Sequence, residues 1–227
     1  MSDIFKIQFP GNPPLIPAHE TTVHRSQISA ELVKGLEDVV EAERENILNT
    51  TPKPPPGKPV NWLTGRLWHY NFFDFDYDAV RKYKDFAAEQ YIDYIQKIGG
   101  KEETTYIRCW ANYCKFSQLI TWHNHSDAHS DHQIDYGYIS GNLCVRTFDT
   151  NTYFRSPYIG GSQYSKEVIV DMVGVKNVDA ELIQFPSYLY HKTDENMTQT
   201  PRITISYDII TERVYNKIGN PLFCKLL

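Results

Sequence analysis

The chain is 227 residues long, with 28 acidic against 23 basic residues and a formal net charge of −5. Hydrophobic residues at 41% and charged residues at 22% exclude wholesale disorder, and the length suits one domain, 1–227, with a sizeable core. Without a basic surplus to neutralise a phosphate backbone, strong duplex nucleic-acid binding is not expected.

The first part, residues 1–103, reads as helical with proline punctuation. After the proline-rich stretch Pro10 to Pro17, Ile28, Leu32, Val33, Leu36, Val39 and Val40 fall on one face of a helix expected from about Ser29 to Leu48, with Ser29 as its N-cap. Thr51–Pro59 carries five prolines and is expected as a loop. A second helix, about Tyr77 to Ile98, has the stripe Val80, Tyr83, Phe86, Ala87, Tyr91 and Tyr94, and Gly99-Gly100 stops it.

From Thr104 the period changes. Short β-rich runs are expected at Thr105–Cys114, Gln118–His123, Ile134–Ile139, Asn142–Phe148, Glu167–Val173, Glu181–Phe185, Tyr188–His191 and Arg202–Ile210. Strands at this spacing in 104–214 suggest a double-sheet jelly roll or barrel, with the amino-terminal helices over one outer face and 215–227 as a carboxy-terminal segment. The fold class is therefore α+β, mainly β. The four cysteines, Cys109, Cys114, Cys144 and Cys224, form no C-x-x-C pair, which excludes a zinc ribbon or thioredoxin motif; Cys109 and Cys114 read as small buried hydrophobes. No apolar run reaches the roughly 18 residues of a membrane helix and the start does not look like a signal peptide, so no membrane partner and a reducing cytoplasm are expected.

Half of the eight histidines lie in the stretch from Thr121 to His132: His123, His125, His129 and His132, with Asp127 and Asp131 between them. On an extended chain residues 123, 125 and 127 point to one side, the geometry that brings two ligands to one metal ion. A remote partner, His191, ends a strand–turn–strand pattern. Some ten residues later Arg202, Thr204 and Ser206 share one strand face, while Ile203, Ile205 and Tyr207 share the other. An arginine on an inward face needs an anionic partner.

His-x-Asp, a distal His and then Arg-x-Thr resembles the iron(II)- and 2-oxoglutarate-dependent dioxygenases, and within them the small prolyl-hydroxylase-like proteins of bacteria and phages. The likeness covers roughly Tyr106 to Ile210 and rests on Trp110-Ala-Asn112, Trp122-His-Asn-His125, Tyr136-Gly-Tyr138 and Phe185-Pro-Ser-Tyr-Leu-Tyr-His191. It implies a double-stranded β-helix (jelly roll) core, Fe(II) and 2-oxoglutarate as cofactors, and O2 as co-reactant. The implied reaction is hydroxylation of a peptide side chain, a nucleobase or a small metabolite, with release of succinate and CO2. The implied location is the cytoplasm of a bacterium, or of a host if the chain is phage-encoded. The implied metal ligands are His125, Asp127 and His191, with His123 as the alternative to Asp127 and His129/Asp131 as a third pair. Arg202 would grip the far carboxylate of the cosubstrate, helped by Thr204, Tyr138 and Asn112. Ser126 stands where such proteins often carry proline after His-x-His, so the choice between His125/Asp127 and His123/His125 stays open. Two other readings compete: a cupin-like metal enzyme without 2-oxoglutarate, and a non-catalytic jelly-roll binding or virion protein.

Overall fold

The computed structural model describes residues 2–11, 17–50, 63–67, 69–126, 128–129, 133–134, 138–157 and 172–227. The chain opens with two antiparallel strands, β1 (Ser2–Phe9) and β2 (His19–Gln27), where a helical, proline-rich start was expected. The alternation of Phe5, Ile7 and Phe9 with Lys6 and Gln8 explains them: Ile7 and Phe9 are buried while the polar residues are not.

Helix α1 (Ala30–Thr50) begins where expected, with Ser29 Oγ accepting the Leu32 amide at 3.2 Å. Helix α2 (Asp78–Lys97) ends at Gly99, whose φ of +77° is open to glycine, and the Gly100 amide returns to the Ile95 carbonyl. The strands β3 (Thr105–Cys114), β4 (Ala128–His129), β5 (Gln133–Ile134), β6 (Ile139–Arg146), β7 (Asn151–Arg155), β8 (Met172–Lys176), β9 (Glu181–Pro186), β10 (Tyr190–Thr193) and β11 (Arg202–Thr211) follow. A short helix α3 (Glu212–Ile218) and the two-residue β12 (Cys224–Lys225) close the chain.

Seven strands form one antiparallel sheet in the order β1-β2-β9-β6-β11-β3-β12, and three form a second in the order β10-β7-β8. This is the jelly-roll core expected from the strand count. The stretch Gln118–His123 is not a strand; it contributes one bridge, between His123 and His191, that lengthens the smaller sheet past β10. Strand β7 and helix α3 were not foreseen. The expected strand Glu167–Val173 is seen only from Met172 onward, and Thr51–Pro59 lies outside the described residues.

The central strands β3 and β11 are buried on both faces, and the two faces differ in chemistry. Ile203, Ile205, Tyr207 and Ile209 join Ile107, Cys109, Ala111 and Tyr113 in a core shared with Leu36, Val40, Val80, Tyr83, Ala87 and Tyr91 of the helices. The opposite face carries Arg202, Thr204, Ser206 and Asp208 beside Arg108 and Asn112, all buried. A second apolar cluster, Ile7, Phe9, Val23, Phe154, Val175, Ile183, Phe185 and Leu189, fills the space between the sheets. The polar inner face is thus flanked by apolar packing, which leaves it to the site.

Cys109 and Cys114 are free and buried, as expected; Cys144 is free and buried too, and burial pushes its thiol up to about 12. Among the described residues no helix is long and apolar enough to cross a membrane.

One glycine is fixed by close approach. The Tyr207 ring, fully buried, lies against Gly141 across the β6–β11 pair, and a Cβ there would fall 2.2 Å from the ring. Gly141→Ala is expected to destabilise the fold by about 1–3 kcal/mol or more, because the ring has no room to yield. Denaturant unfolding of the two proteins checks this; an unchanged midpoint would refute it.

Candidate metal centre

The bridge that joins the two sheet segments also joins two histidines. The His123 amide donates to the His191 carbonyl at 3.1 Å and the His191 amide returns to His123 at 2.8 Å. The His125 amide donates to Ser187 O at 2.9 Å, which anchors the second histidine to the turn after β9. Three backbone bonds therefore hold residues from two distant parts of the chain side by side.

Their rings converge. One nitrogen from each of His123, His125 and His191 lies within 4.8 Å of the others, and the ring centroids are 4.9, 4.2 and 5.1 Å apart. Each Nδ1 is directed elsewhere. His123 Nδ1 donates to Thr121 O at 2.8 Å, His191 Nδ1 to Leu189 O at 3.0 Å, and His125 Nδ1 meets Asp208 Oδ1 at 2.5 Å. A ring that donates from Nδ1 carries its lone pair on Nε2, so all three present the same ligand atom. Phe185 and Trp110 enclose the cluster, with centroids 4.8 Å from His191 and 5.6 Å from His125.

Enclosure sets the charge state. Desolvation, reinforced by neighbouring His125, lowers His123 to about 4. Desolvation and the two other imidazoles hold His191 well below the usual histidine range. At neutral pH these rings are uncharged, the form that binds metal. Burial pushes the Asp208 carboxyl up, but His125, Arg108 and Ser140 outweigh it and hold the group below its ordinary value.

Arg202 is buried at 2% exposure at the start of β11. Its guanidinium donates to Asp194 O at 2.7 Å and Thr193 Oγ1 at 2.6 Å, and touches Cys114 Sγ at 3.5 Å. Among the described ion pairs it has no carboxylate partner; the Asp194 carboxylate is engaged by the Asn151 amide and side chain. Thr193 follows His191 by two residues on β10, so the arginine's anchor and the histidine share a strand side about 7 Å apart. Asn112 donates to Thr204 Oγ1 at 3.1 Å and to Ser206 Oγ at 2.9 Å, and Ser206 donates to Asn142 Oδ1 at 2.9 Å. Asn112 Oδ1 is buried with no hydrogen-bond partner among the described residues, an acceptor turned into this polar row.

The structure thus brings together His123, His125 and His191, and on the adjoining face Arg202, Thr204 and Asn112. Tyr138, expected beside the cosubstrate, is 42% exposed just before β6. Asp127 lies outside the described residues, as does Asp131, and of His129 only the backbone is described. Sequence reasoning did not name Asp208, Arg108, Ser140 or Asn142. Asp208 was within reach, since the parity that groups Arg202, Thr204 and Ser206 continues to residue 208.

Residues 108–208, a span from Arg108 to Asp208 that contains every residue of the cluster, match the family model described as "Putative 2OG-Fe(II) oxygenase". The matched span is less than half of the 227-residue chain, and over it the chain is similar to that family. Solved structures share its fold. A prolyl-4-hydroxylase from Pseudomonas putida is 14% identical at a TM-score of 0.52, over 83% of this chain and 88% of its own. HygX from Streptomyces hygroscopicus, with nickel and 2-oxoglutarate bound, is 8% identical at 0.56, over 84% and 82%. SnoK, a carbocyclase of nogalamycin biosynthesis, is 8% identical at 0.54, over 90% and 92%. A comparison with curated proteins returned no match. Fe(II) and 2-oxoglutarate are the cofactors that the description of the matched family names.

Proposed function

We propose that this oxygenase holds Fe(II) through the Nε2 atoms of His123, His125 and His191, grips 2-oxoglutarate through Arg202, and hydroxylates its substrate. The convergence of three imidazoles, each with its Nδ1 already committed, carries the reading. The donor set fits the metal: imidazole suits iron, and three ligands on one side leave open positions for cosubstrate and O2. When bound, the metal and 2-oxoglutarate supply an oxidant from O2 as the cosubstrate becomes succinate and CO2.

The chain's own groups do the rest. Arg202 offers a planar fork for the distal carboxylate, with Thr193 and Cys114 fixing the guanidinium at the end of the polar row. Thr204 and Asn112 add hydrogen-bonding groups along the way to it. Phe185 and Trp110 keep water from the imidazoles. Hydroxylation is the reaction named for the Pseudomonas putida relative, whereas SnoK is named a carbocyclase, so the outcome depends on how the substrate is held. A peptide side chain, a nucleobase or a small metabolite remains the substrate class. An all-imidazole set also suits a cupin-like metal enzyme without 2-oxoglutarate; the buried Arg202, with no carboxylate partner among the described residues, favours the oxygenase.

A melting series with Mn(II) tests the proposal. 2-Oxoglutarate at a hundredfold excess over its dissociation constant should stabilise the wild type by ~2.7 kcal/mol. Succinate should compete, Arg202→Lys should bind more weakly, and Arg202→Ala should lose the shift while keeping the metal. No shift in metal-loaded wild type would overturn the 2-oxoglutarate reading and favour the cupin-like one.

A further inference from the structure

We propose that Asp208 is the positioning residue of this metal centre: acting through His125, it supplies from behind the ligand the negative charge that three imidazoles lack. The inference rests on His123, His125 and His191 being the ligands.

Three observations carry it. First, the three Nδ1 groups do not have equivalent partners. His123 and His191 donate to neutral backbone carbonyls at 2.8 and 3.0 Å, whereas His125 meets a carboxylate at 2.5 Å. A hydrogen bond to an ionised acceptor is shorter and roughly twice as strong, and it raises the basicity of the ring's other nitrogen. His125 is therefore the strongest donor of the three.

Second, Asp208 is held from both sides. It sits in β11 directly opposite Arg108 of β3 and Ser140 of β6. Ser140 Oγ donates to Oδ1 at 2.8 Å, and Arg108 approaches Oδ2 at 3.4 Å. At 2% exposure the carboxylate cannot turn to water, so its direction toward His125 is fixed by the sheet.

Third, the charge is not spent on the arginine. Arg108 stays farther from the carboxylate than His125 does, and its guanidinium also lies 5.2 Å from the ring centres of both Trp110 and Phe223. The closest contact of the carboxylate is the imidazole. A neutral three-histidine set would leave a divalent ion with its full charge; a carboxylate one ring away offsets part of it without occupying a coordination position.

The test uses full-length Asp208→Asn, which keeps the shape and one acceptor and loses the charge. Its Mn(II) or Co(II) affinity is expected to fall about 10–100-fold, the range for partners that lie behind a ligand. In zinc-loaded protein with 15N-labelled histidine, the His125 Nδ1–H proton is expected far downfield in wild type and to move upfield in Asp208→Asn, while those of His123 and His191 stay. A purely structural role would lower the melting temperature without moving that one resonance. Folded Asp208→Asn with wild-type metal affinity and an unmoved His125 signal would overturn the proposal. If that variant does not fold, Ser140→Ala decides: the same resonance should move, by less, and no movement would count against the proposal. Wild-type protein that binds no metal would instead remove the ligand assignment on which this inference depends, a failure distinguishable from the first.

Discussion

Protein carrying His191→Ala is expected to bind no Fe(II) or Mn(II) at concentrations that saturate the wild type. His191 closes a triangle with the other two rings, 4.2 Å from His123 and 5.1 Å from His125, and two imidazoles alone do not hold the ion. The backbone pair between residues 123 and 191 does not need the side chain, so the fold should survive and the loss be specific. His123→Ala should behave in the same way. Asp127→Ala, by contrast, should keep most of its metal, because the three imidazoles already converge without it. Equilibrium binding to the three variants measures this directly. Near-normal binding by His123→Ala together with loss in Asp127→Ala would return the third position to the carboxylate of the His-x-Asp motif. Full affinity in His191→Ala would place the metal elsewhere.

Arg108→Met is expected to have the largest effect on stability, a loss of about 3–5 kcal/mol, as when one partner of a buried ion pair is removed. Arg108 and Asp208 are 1% and 2% exposed, so neither charge has recourse to solvent. Loss of the cation leaves a buried carboxylate with His125 and Ser140 alone, and forfeits the packing of the guanidinium over Trp110 and Phe223. Denaturant unfolding of Arg108→Met, Asp208→Asn and the double variant provides the check. The double variant should be more stable than the sum of the two losses implies, since the uncompensated charge is gone. Strict additivity would show that the two residues are not coupled.

Much of this arrangement was legible in the sequence, for identifiable reasons. Helices α1 and α2 were visible because Leu36, Val40, Val80, Tyr83 and Tyr91 recur at helical spacing and face one core. Strand β3 was read at its observed limits and β11 to within a residue, because both are long and bounded by turn residues. The amino-terminal hairpin was missed because nearby prolines outweighed a short alternation at Phe5, Ile7 and Phe9. Strand β7 has five residues, Asn151 to Arg155, too few for a period to register. In the site, the histidines and Arg202 stood out by residue type. Asp208 did not: strand parity with Arg202, Thr204 and Ser206 reaches it, but its partner is a histidine 83 residues earlier that only the fold places beside it.

Strand β11 assigns its two faces to different tasks, and this bears on how the chain can change. Its odd-numbered residues from Ile203 to Ile209 meet the helices, and its even-numbered ones from Arg202 to Asp208 meet the histidine cluster and the polar row beside it. Exchange among aliphatic residues at the odd positions alters packing alone, which helps explain how relatives only 8–14% identical keep the same architecture. Loss or gain of a single residue within the strand is a different event. It would carry a guanidinium and a carboxylate into the helix-packed core and turn isoleucines toward the histidine cluster, so that packing and site would be lost together. Point substitution, and not insertion or deletion, is therefore the route by which this strand can diverge.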